Sequence, residues 1–488
     1  MNAKEVLSSA KPQTRTKSEN FDVVILGGGT GSTIAAWTFA GEGKKVAVVD
    51  RKYIGGSCPN IACLPSKNVI HSAKVASYIG RSREFGITVD NVRVEMTAVR
   101  GRKRRMVTSL NDLYREVYKK TGAEFILGAG KFAGPRTIEV TLADATKREL
   151  RGTNVIISTG THAAMEAIPG LREAQPMTHI EALELEAVPA HLIVLGGGYV
   201  GLELSQAMRR FGSRVTLIER SERLLPREDE DVSDAILALF QAEGIDLISR
   251  AEAQRVAGRS GEGVEITLKQ NGAERTVAGT HLLVATGRVP NTAEIAAEEG
   301  GVELTESGFV KVNERLETTA PGVWAIGEVA GSPLFTHVSM DDSRVVRENI
   351  AGGKRVTTGR MIPFCLFTDP EFARVGLSER EARAQGVAYR LFKAPMEAVL
   401  RARTLSETRG FLKALVGAED DRILGFTVVG TGGGEIMSAV QVAMIAGLPY
   451  KALRDAIIAH PTLAEGLSPL FSSEPSMQNQ RTRSAGQK

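Results

Sequence analysis

A mixed α/β fold built around two βαβ units is the fold class this sequence predicts, and an internal repeat is the first reason. Residues 23–51 read VVILGGGTGSTIAAWTFAGEGKKVAVVDR, and residues 192–220 read LIVLGGGYVGLELSQAMRRFGSRVTLIER. Each copy runs from an apolar strand through clustered glycines into a helix, then through a further glycine into a second strand closed by an acid-arginine pair. Asp50 and Glu219 each lie 23 residues after the first glycine of their copy, Gly27 and Gly196. One glycine-rich loop would say little, but two in register, each with its acid, describe two Rossmann-like dinucleotide-binding units. The second reason is size: 488 residues, 42% hydrophobic and 24% charged, make an ordinary globular chain of several domains. The third is a change of character from about Thr357. There, short strands with a helix precede apolar helices around GGEIMSAVQVAMIAGL, which reads as a separate α+β domain.

Each unit is built from the same parts. In the first, Gly27 makes the tight turn and Gly29 lets the backbone approach a pyrophosphate. The following helix turns its positive end toward the phosphates. The third fingerprint position is Ser32 rather than glycine. Asp50 is placed to accept hydrogen bonds from a ribose. In the second unit Gly196, Gly198 and Gly201 complete the pattern, and Glu219 is the ribose acceptor. An acid there favours a free 2′-hydroxyl and repels a 2′-phosphate, so NADH is expected ahead of NADPH. Arg220 says nothing against this, because Arg51 stands at the same place in the first unit. Arg223 is the residue that could still meet a phosphate.

Cys58 and Cys63 sit in GGSCPNIACLPSK, residues 55–67, directly after the first unit. Five steps along a regular helix turn the second side chain about 140° away from the first. The pair can therefore close a disulfide only across a distorted first turn, where Pro59 and Pro65 restrict the backbone. A strained pair beside a nucleotide loop reads as reducible rather than as a staple. Two unrelated buried thiols, or half a zinc site, are the other readings. Zinc needs about four ligands, and the sequence offers no second Cys or His pair at suitable spacing.

This segment resembles the redox-active stretch of the FAD-dependent pyridine nucleotide–disulfide oxidoreductases, a family that includes dihydrolipoamide dehydrogenase, glutathione reductase and mercuric reductase. The resemblance runs from residue 21 to about 471. It implies that the first unit holds FAD and the second the nicotinamide cofactor, with Tyr199 gating the nicotinamide pocket. It implies a redox-active Cys58–Cys63 disulfide in which Cys63 faces the flavin and Cys58 exchanges with substrate. Lys67, four residues after Cys63 on one helix face, would favour reduced flavin with Glu203 as its partner. LLVATGRVPNT, residues 282–292, resembles the exit from the nicotinamide domain. VWAIGEVAG, residues 323–331, resembles the second flavin motif, with Glu328 where the family usually has Asp. FTHVSMDDSRVVRENIAG after it reads as a helix whose N-terminus would stabilise negative charge on the flavin. In AHPTLAEG, His460 would be the general acid/base of thiol exchange, held by Glu465 and reaching the partner subunit of a homodimer. Pro59 and Ala62 depart from the family's usual flexible apolar residue and glycine. Cys365, in an apolar strand, reads as a small core residue.

The expected organisation is a disordered tail at 1–20, a flavin domain at 21–158, a nicotinamide domain at 159–280 and a second flavin segment at 281–356. A dimerisation domain at 357–471 and a disordered tail at 472–488 complete it. Each tail carries a net charge of +2, which accounts for the whole formal charge of +4. The neutral body argues against a nucleic-acid partner, and Arg100, Arg102, Lys103, Arg104 and Arg105 read as a solvated helix face. No segment suits a membrane span or a secretory signal. A reducible thiol pair fits the cytoplasm.

The resemblance implies electron flow from NADH through FAD and the cysteine pair to a small disulfide, as in dihydrolipoamide dehydrogenase. The alternative is a mercuric-reductase-like reductase of metal ions or small oxidants. It is opposed by the lack of a cysteine pair in SSEPSMQNQRTRSAGQK. A structural subunit of a larger complex is a third, weaker reading. No resident metal site is expected.

Overall fold

The computed structural model describes residues 18–478, and these divide into two compact units. The first takes the chain up to residue 60, then 108–162 and 289–358. The second takes 61–107, 163–288 and the chain from 359 onward.

The first unit is organised by a sheet whose parallel strands lie in the order Glu124–Gly134, Val46–Asp50, Ser18–Leu26, Lys147–Ile157, Val323–Ala325. Thr137–Leu142 runs antiparallel against both Glu124–Gly134 and Lys147–Ile157. Val23, Val24, Ile25 and Leu26 are all buried, as befits a strand covered on both faces. Phe21, Val24, Ile138, Leu150 and Val323 fill one face. Ile25, Phe39, Tyr118, Trp324 and Val345 fill the other.

The second unit contains three sheets. A parallel one has the order His281–Val284, His191–Leu195, Arg214–Ile218, Asp246–Ile248. An antiparallel ribbon follows, Ala251–Arg259, Gly263–Gln270 and Ala273–Gly279. The third sheet is antiparallel throughout, in the order Phe364–Leu366, Glu371–Gly376, Ile423–Gly430, Phe411–Gly417, Tyr389–Pro395, Ser476–Gln478.

The α/β class holds, while several boundaries move. Residues 61–107 join the second unit rather than the first, because Val69, Ala73 and Met96 pack into the core formed by Leu192, Val194 and Leu202. The strand His281–Val284 closes the second parallel sheet, so the break after residue 280 falls too early. At both ends the expected tail overlaps a strand. Ser18–Leu26 is already strand, and Ser476–Gln478 pairs with Tyr389–Leu391 at a sheet edge. The remaining tail residues, 1–17 and 479–488, lie outside the described residues.

The basic run on the helix Met96–Thr121 is not a uniformly solvated face. Lys103 is 2% exposed, and its ammonium donates to Leu183 O at 2.6 Å and to the Glu184 carboxylate. Burial lowers its pKa against the pull of Glu184. Arg104 reaches Glu184 at 2.7 Å, and Arg100 pairs with Glu186. Among the described residues no helix is long and apolar enough to cross a membrane.

Candidate functional site

In the first unit, Gly27 has φ 105°, and a Cβ there would lie 2.3 Å from Ser158 O. The next amide, Gly28 N, donates to Asp50 Oδ2 at 2.7 Å. Asp50 Oδ1 accepts from Lys52 N and Tyr53 N, both at 2.8 Å. The carboxylate thus ties the glycine loop to the end of its neighbouring strand. The helix Thr30–Gly41 starts at Gly29 with no side-chain cap and no acid in its first turn. Its amide end is suited to an anionic phosphate. Ser32, in the place of a third glycine, is fully buried, and its hydroxyl donates to Gly27 O at 2.7 Å and Gly29 O at 2.8 Å. The hydroxyl satisfies the carbonyl that a plain side chain would crowd.

The turn carrying Cys58 lies against this loop. Gly56 has φ 71°, and a Cβ on it would stand 2.5 Å from Gly29 Cα. Only glycine permits that approach. Asn60, unforeseen from sequence, clamps the turn by donating to Ile54 O and Gly56 O, both at 2.8 Å, and accepts from Asn111 at 3.0 Å. Burial, then the neighbouring Cys58, raises the pKa of the Tyr114 hydroxyl. Glu328 lies in the turn Gly327–Ala330 and receives the Thr161 hydroxyl. That turn is anchored by Asp342, which is wholly buried and accepts from Gly327 N at 2.8 Å and Ser332 Oγ at 2.7 Å. Asp342 was also unforeseen; its signal was an acid inside the helix Thr336–Ile350 at a position facing the core.

The second unit repeats the loop geometry. Gly197 N donates to Glu219 Oε2 at 2.7 Å, and Ser221 N to Oε1 at 2.8 Å. Gly198 begins the helix Tyr199–Phe211, again with no side-chain cap and no acid in the first turn. A Cβ on Gly201 would sit 1.9 Å from Gly196 O, so here the third glycine is obligatory. Gly198 has open space around it. Both loops therefore present an uncapped helix N-terminus of the kind that suits a pyrophosphate, and the second also leaves open space at Gly198. Arg223 is held by Asp234 at 2.7 Å.

Cys63 is the first residue of the helix Cys63–Gly80, after Ala62 at φ −128°, ψ −102°. The short helix Ser57–Asn60 ends before it, so the two cysteines are separated by the break that their spacing demands. Both are half-buried. Lys67 Nζ lies 2.7 Å from Glu203 Oε2. Glu203 is 6% exposed and accepts Phe367 N on Oε1 at 2.9 Å. Tyr199 is half-buried, and burial followed by Glu228 pushes its pKa up. Burial, then Glu371 and Glu203, likewise raises the pKa of the Cys365 thiol. Cys365 borders the apolar core of the antiparallel sheet.

His460 and Glu465 come together, with His460 Nδ1 at 2.9 Å from Oε1 and 3.0 Å from Oε2. Among the described residues, one acidic group has metal-ligand spacing: Asp229, Asp231 and Glu379. Its centre is taken by the ammonium of Lys413, at 2.8 Å from Asp229 and Asp231 and 3.0 Å from Glu379.

Known proteins resemble the chain over nearly its whole length. The probable pyridine nucleotide-disulfide oxidoreductase RclA of Escherichia coli (strain K12) is 33% identical over 458 residues, covering 93% of this chain and 99% of that protein. Its solved structure, described as a Cu(II) complex of an HOCl-induced flavoprotein disulfide reductase, superposes with a TM-score of 0.84 at 32% identity, covering 93% and 99% of the two chains. Mercuric reductase of Staphylococcus aureus is 32% identical, over 92% of this chain and 81% of its own. Dihydrolipoyl dehydrogenase of Thermus scotoductus is 34% identical, over 92% and 96%. The family model for pyridine nucleotide-disulphide oxidoreductases matches residues 21–343, and that for their dimerisation domain matches 362–470. With both nucleotide loops, the cysteine segment and the C-terminal sheet in the order these matches require, the chain belongs to the pyridine nucleotide-disulphide oxidoreductase family, the FAD-dependent flavoproteins of class I.

Proposed function

We propose that the protein is an NADH-linked dithiol–disulfide oxidoreductase acting as a homodimer. The overall reaction is NADH + H⁺ + RSSR → NAD⁺ + 2 RSH. FAD, when bound, supplies the two-electron transfer between nicotinamide and thiols. Gly27, Gly29, Asp50 and Glu328 are assigned to hold it; Gly196, Gly198, Gly201 and Glu219 are assigned to the nicotinamide cofactor. The preference for NADH rests on Glu219 and on Arg223 being occupied by Asp234.

Tyr199 covers the nicotinamide pocket until the cofactor enters. The Lys67 ammonium, held by Glu203, sets a positive charge at the redox centre. The Cys58–Cys63 disulfide accepts two electrons and opens to a thiolate on Cys63 and a thiol on Cys58. Cys58, as thiolate, attacks the substrate disulfide; one S–S bond forms as another breaks, and the leaving sulfur takes a proton. Cys63 then attacks the mixed disulfide, restores the Cys58–Cys63 bond and expels the second sulfur as a thiolate, which takes from solvent the H⁺ of the overall equation. The partner subunit's His460, oriented by its Glu465, takes the proton from Cys58 and gives it to the leaving thiolate.

The observation that carries this reading is the His460–Glu465 hydrogen bond in a chain that also has the cysteine pair. Metal-ion reduction at the same dithiol is the second reading. It is supported by the relatives named mercuric reductase and by the Cu(II) complex of the E. coli relative.

The test is spectroscopic. Two-electron reduction of the FAD-loaded protein should produce a long-wavelength absorption band from the Cys63 thiolate. Cys63→Ser should abolish it, whereas Cys58→Ser should retain it. The opposite pattern would reverse the two assignments, and loss of neither would remove the thiol pair from the reaction.

A further inference from the structure

Lys67 is fixed by two groups of different kind, and only one is a side-chain acid. Glu203 accepts its ammonium on Oε2 at 2.7 Å. The ring of Phe367 is the second group, its centroid 4.7 Å from Nζ. Phe367 also reaches Glu203, because its backbone amide donates to Oε1 at 2.9 Å. One residue therefore touches both members of the ion pair, the cation through its π face and the anion through its main chain.

Phe367 follows the strand Phe364–Leu366, and the next turn is bolted to the helix that carries Glu203. Gln206, one turn beyond Glu203 and 2% exposed, accepts Asp369 N at 2.8 Å and donates to Asp369 O at 2.9 Å. Arg210, a further turn along, holds the Asp369 carboxylate at 2.6 Å and its carbonyl at 2.9 Å. Lys74, two turns after Lys67 on its own helix, reaches the same carboxylate at 2.8 Å. The loop cannot shift without breaking several buried, charge-assisted bonds.

We propose that Phe367 is a positioning residue for Lys67: its ring and amide, held by the Gln206–Asp369 clasp, fix where the ammonium charge sits. The inference rests on the reading above that this charge acts on the redox centre. A carboxylate alone leaves the flexible lysine stem free to swing about it. A π face as a second contact restricts the swing and replaces water with a weakly attractive surface. The charge then stays at one distance from the group it is to stabilise.

Phe367→Leu keeps the amide bond and most of the apolar volume but removes the π face; Phe367→Tyr keeps all three. Measured on the FAD-loaded protein, Phe367→Leu should slow flavin reduction by NADH about three- to tenfold. It should lower the FAD midpoint potential by about 15–30 mV, the same factor at ~30 mV per tenfold for two electrons. The Tyr variant should restore both readouts to within about twofold. Gln206→Met, which touches neither Lys67 nor the ring, should move the potential in the same direction. In a Lys67→Gln background, Phe367→Leu should add nothing. Equal potentials for wild type and Phe367→Leu, or a Tyr variant as impaired as Leu, would overturn the proposal. Should Phe367→Leu fail to bind FAD, the Gln206→Met potential decides in its place, and no shift there counts against the clasp. A Lys67→Gln protein with unchanged potential would instead defeat the reading of Lys67 itself, and the inference with it.

Discussion

On the proposed reading, replacing His460 should separate disulfide exchange from the reduction of ions and quinones, and the general cost of losing a positioned acid/base sets the size of the effect. Glu465 accepts His460 Nδ1 at 2.9 and 3.0 Å on its two oxygens. In the neutral ring this bond keeps the proton on Nδ1 and leaves Nε2 to act as base. Removing a positioned acid/base costs about 10²- to 10⁴-fold in rate, roughly 2.7–5.5 kcal/mol. His460→Ala should fall in that range with lipoamide or glutathione disulfide. Glu465→Gln is milder, because an amide oxygen can still accept from Nδ1. It forfeits only the difference between a charged and a neutral hydrogen bond, about 1 kcal/mol, or roughly fivefold. The His460 side chain is 62% exposed in the single chain, so solvent screening argues for the low end. The assay is steady-state turnover on the two disulfides, mercuric ion and a quinone, with single-turnover reduction by NADH in a stopped flow as control. Hydride transfer should be nearly intact in both variants, and neither the ion nor the quinone should feel the loss by more than a fewfold. Disulfide turnover indifferent to His460 would refute the proton-shuttle reasoning. A Glu465→Gln protein as inactive as His460→Ala would refute the division of labour between them.

The nicotinamide preference should respond to Glu219. Because its carboxylate also holds Gly197 N and Ser221 N, Glu219→Ala will weaken both cofactors, and the ratio of kcat/KM for NADH over NADPH is the quantity to follow. That ratio should drop by about tenfold, ~1.4 kcal/mol; a wild-type preference for NADPH would contradict it. Lys413→Met leaves Asp229, Asp231 and Glu379 facing one another without their shared cation, only Asp231 keeping a second one in Lys393 at 2.7 Å, at an expected cost of about 3–5 kcal/mol. Burial opposes ionisation of Asp229 and Asp231, but Lys413 at Asp229, and Lys393 together with Lys413 at Asp231, outweigh it and hold both pKa values below normal. Their contribution is complete above about pH 4 and is lost as pH falls through the depressed folded-state values. The Tm deficit of Lys413→Met should therefore be largest near neutrality and shrink toward pH 4, where the uncompensated acids take up protons. A deficit that grows on acidification would show that the network is not held by charge.

What could be read from the sequence is what depends on backbone geometry and local spacing. A glycine at a positive φ and an acid 23 residues on are requirements of one supersecondary unit, so both βαβ loops were legible, and so was the α/β class. Ser32 looked like a departure because the sequence does not show that its hydroxyl can satisfy Gly27 O. Domain boundaries were less legible, since they depend on distant packing: nothing within residues 61–107 announces that Val69 and Ala73 will meet Leu192 and Leu202. Lys103 was misread for the same reason, because its partners Leu183 O and Glu184 lie about eighty residues away. Phe367 escaped notice for a different reason. Its contact with Glu203 is made by a main-chain amide, which every residue but proline carries.

The relatives bear names that imply different electron acceptors, although their identity to this chain spans only 32–34%. Such a division cannot rest on the parts they must share. The nucleotide loops are spoken for by backbone geometry, and Lys67 and Glu203 are committed to each other. Acceptor choice must lie where the thiols meet the outside, at Cys58 and whatever faces it. This sequence has three cysteines, and Cys365 has its thiol pKa pushed up by burial and nearby acids. A soft metal ion could bind Cys58 and Cys63, the same sulfurs that a disulfide substrate would engage on the proposed reading. The two acceptors are exclusive occupants of one dithiol, and what distinguishes them is the proton. A disulfide leaves as thiolates that need one delivered; a metal ion does not. On the proposed reading the His460–Glu465 pair has a use in the first case and none in the second, which is why we place disulfide exchange first.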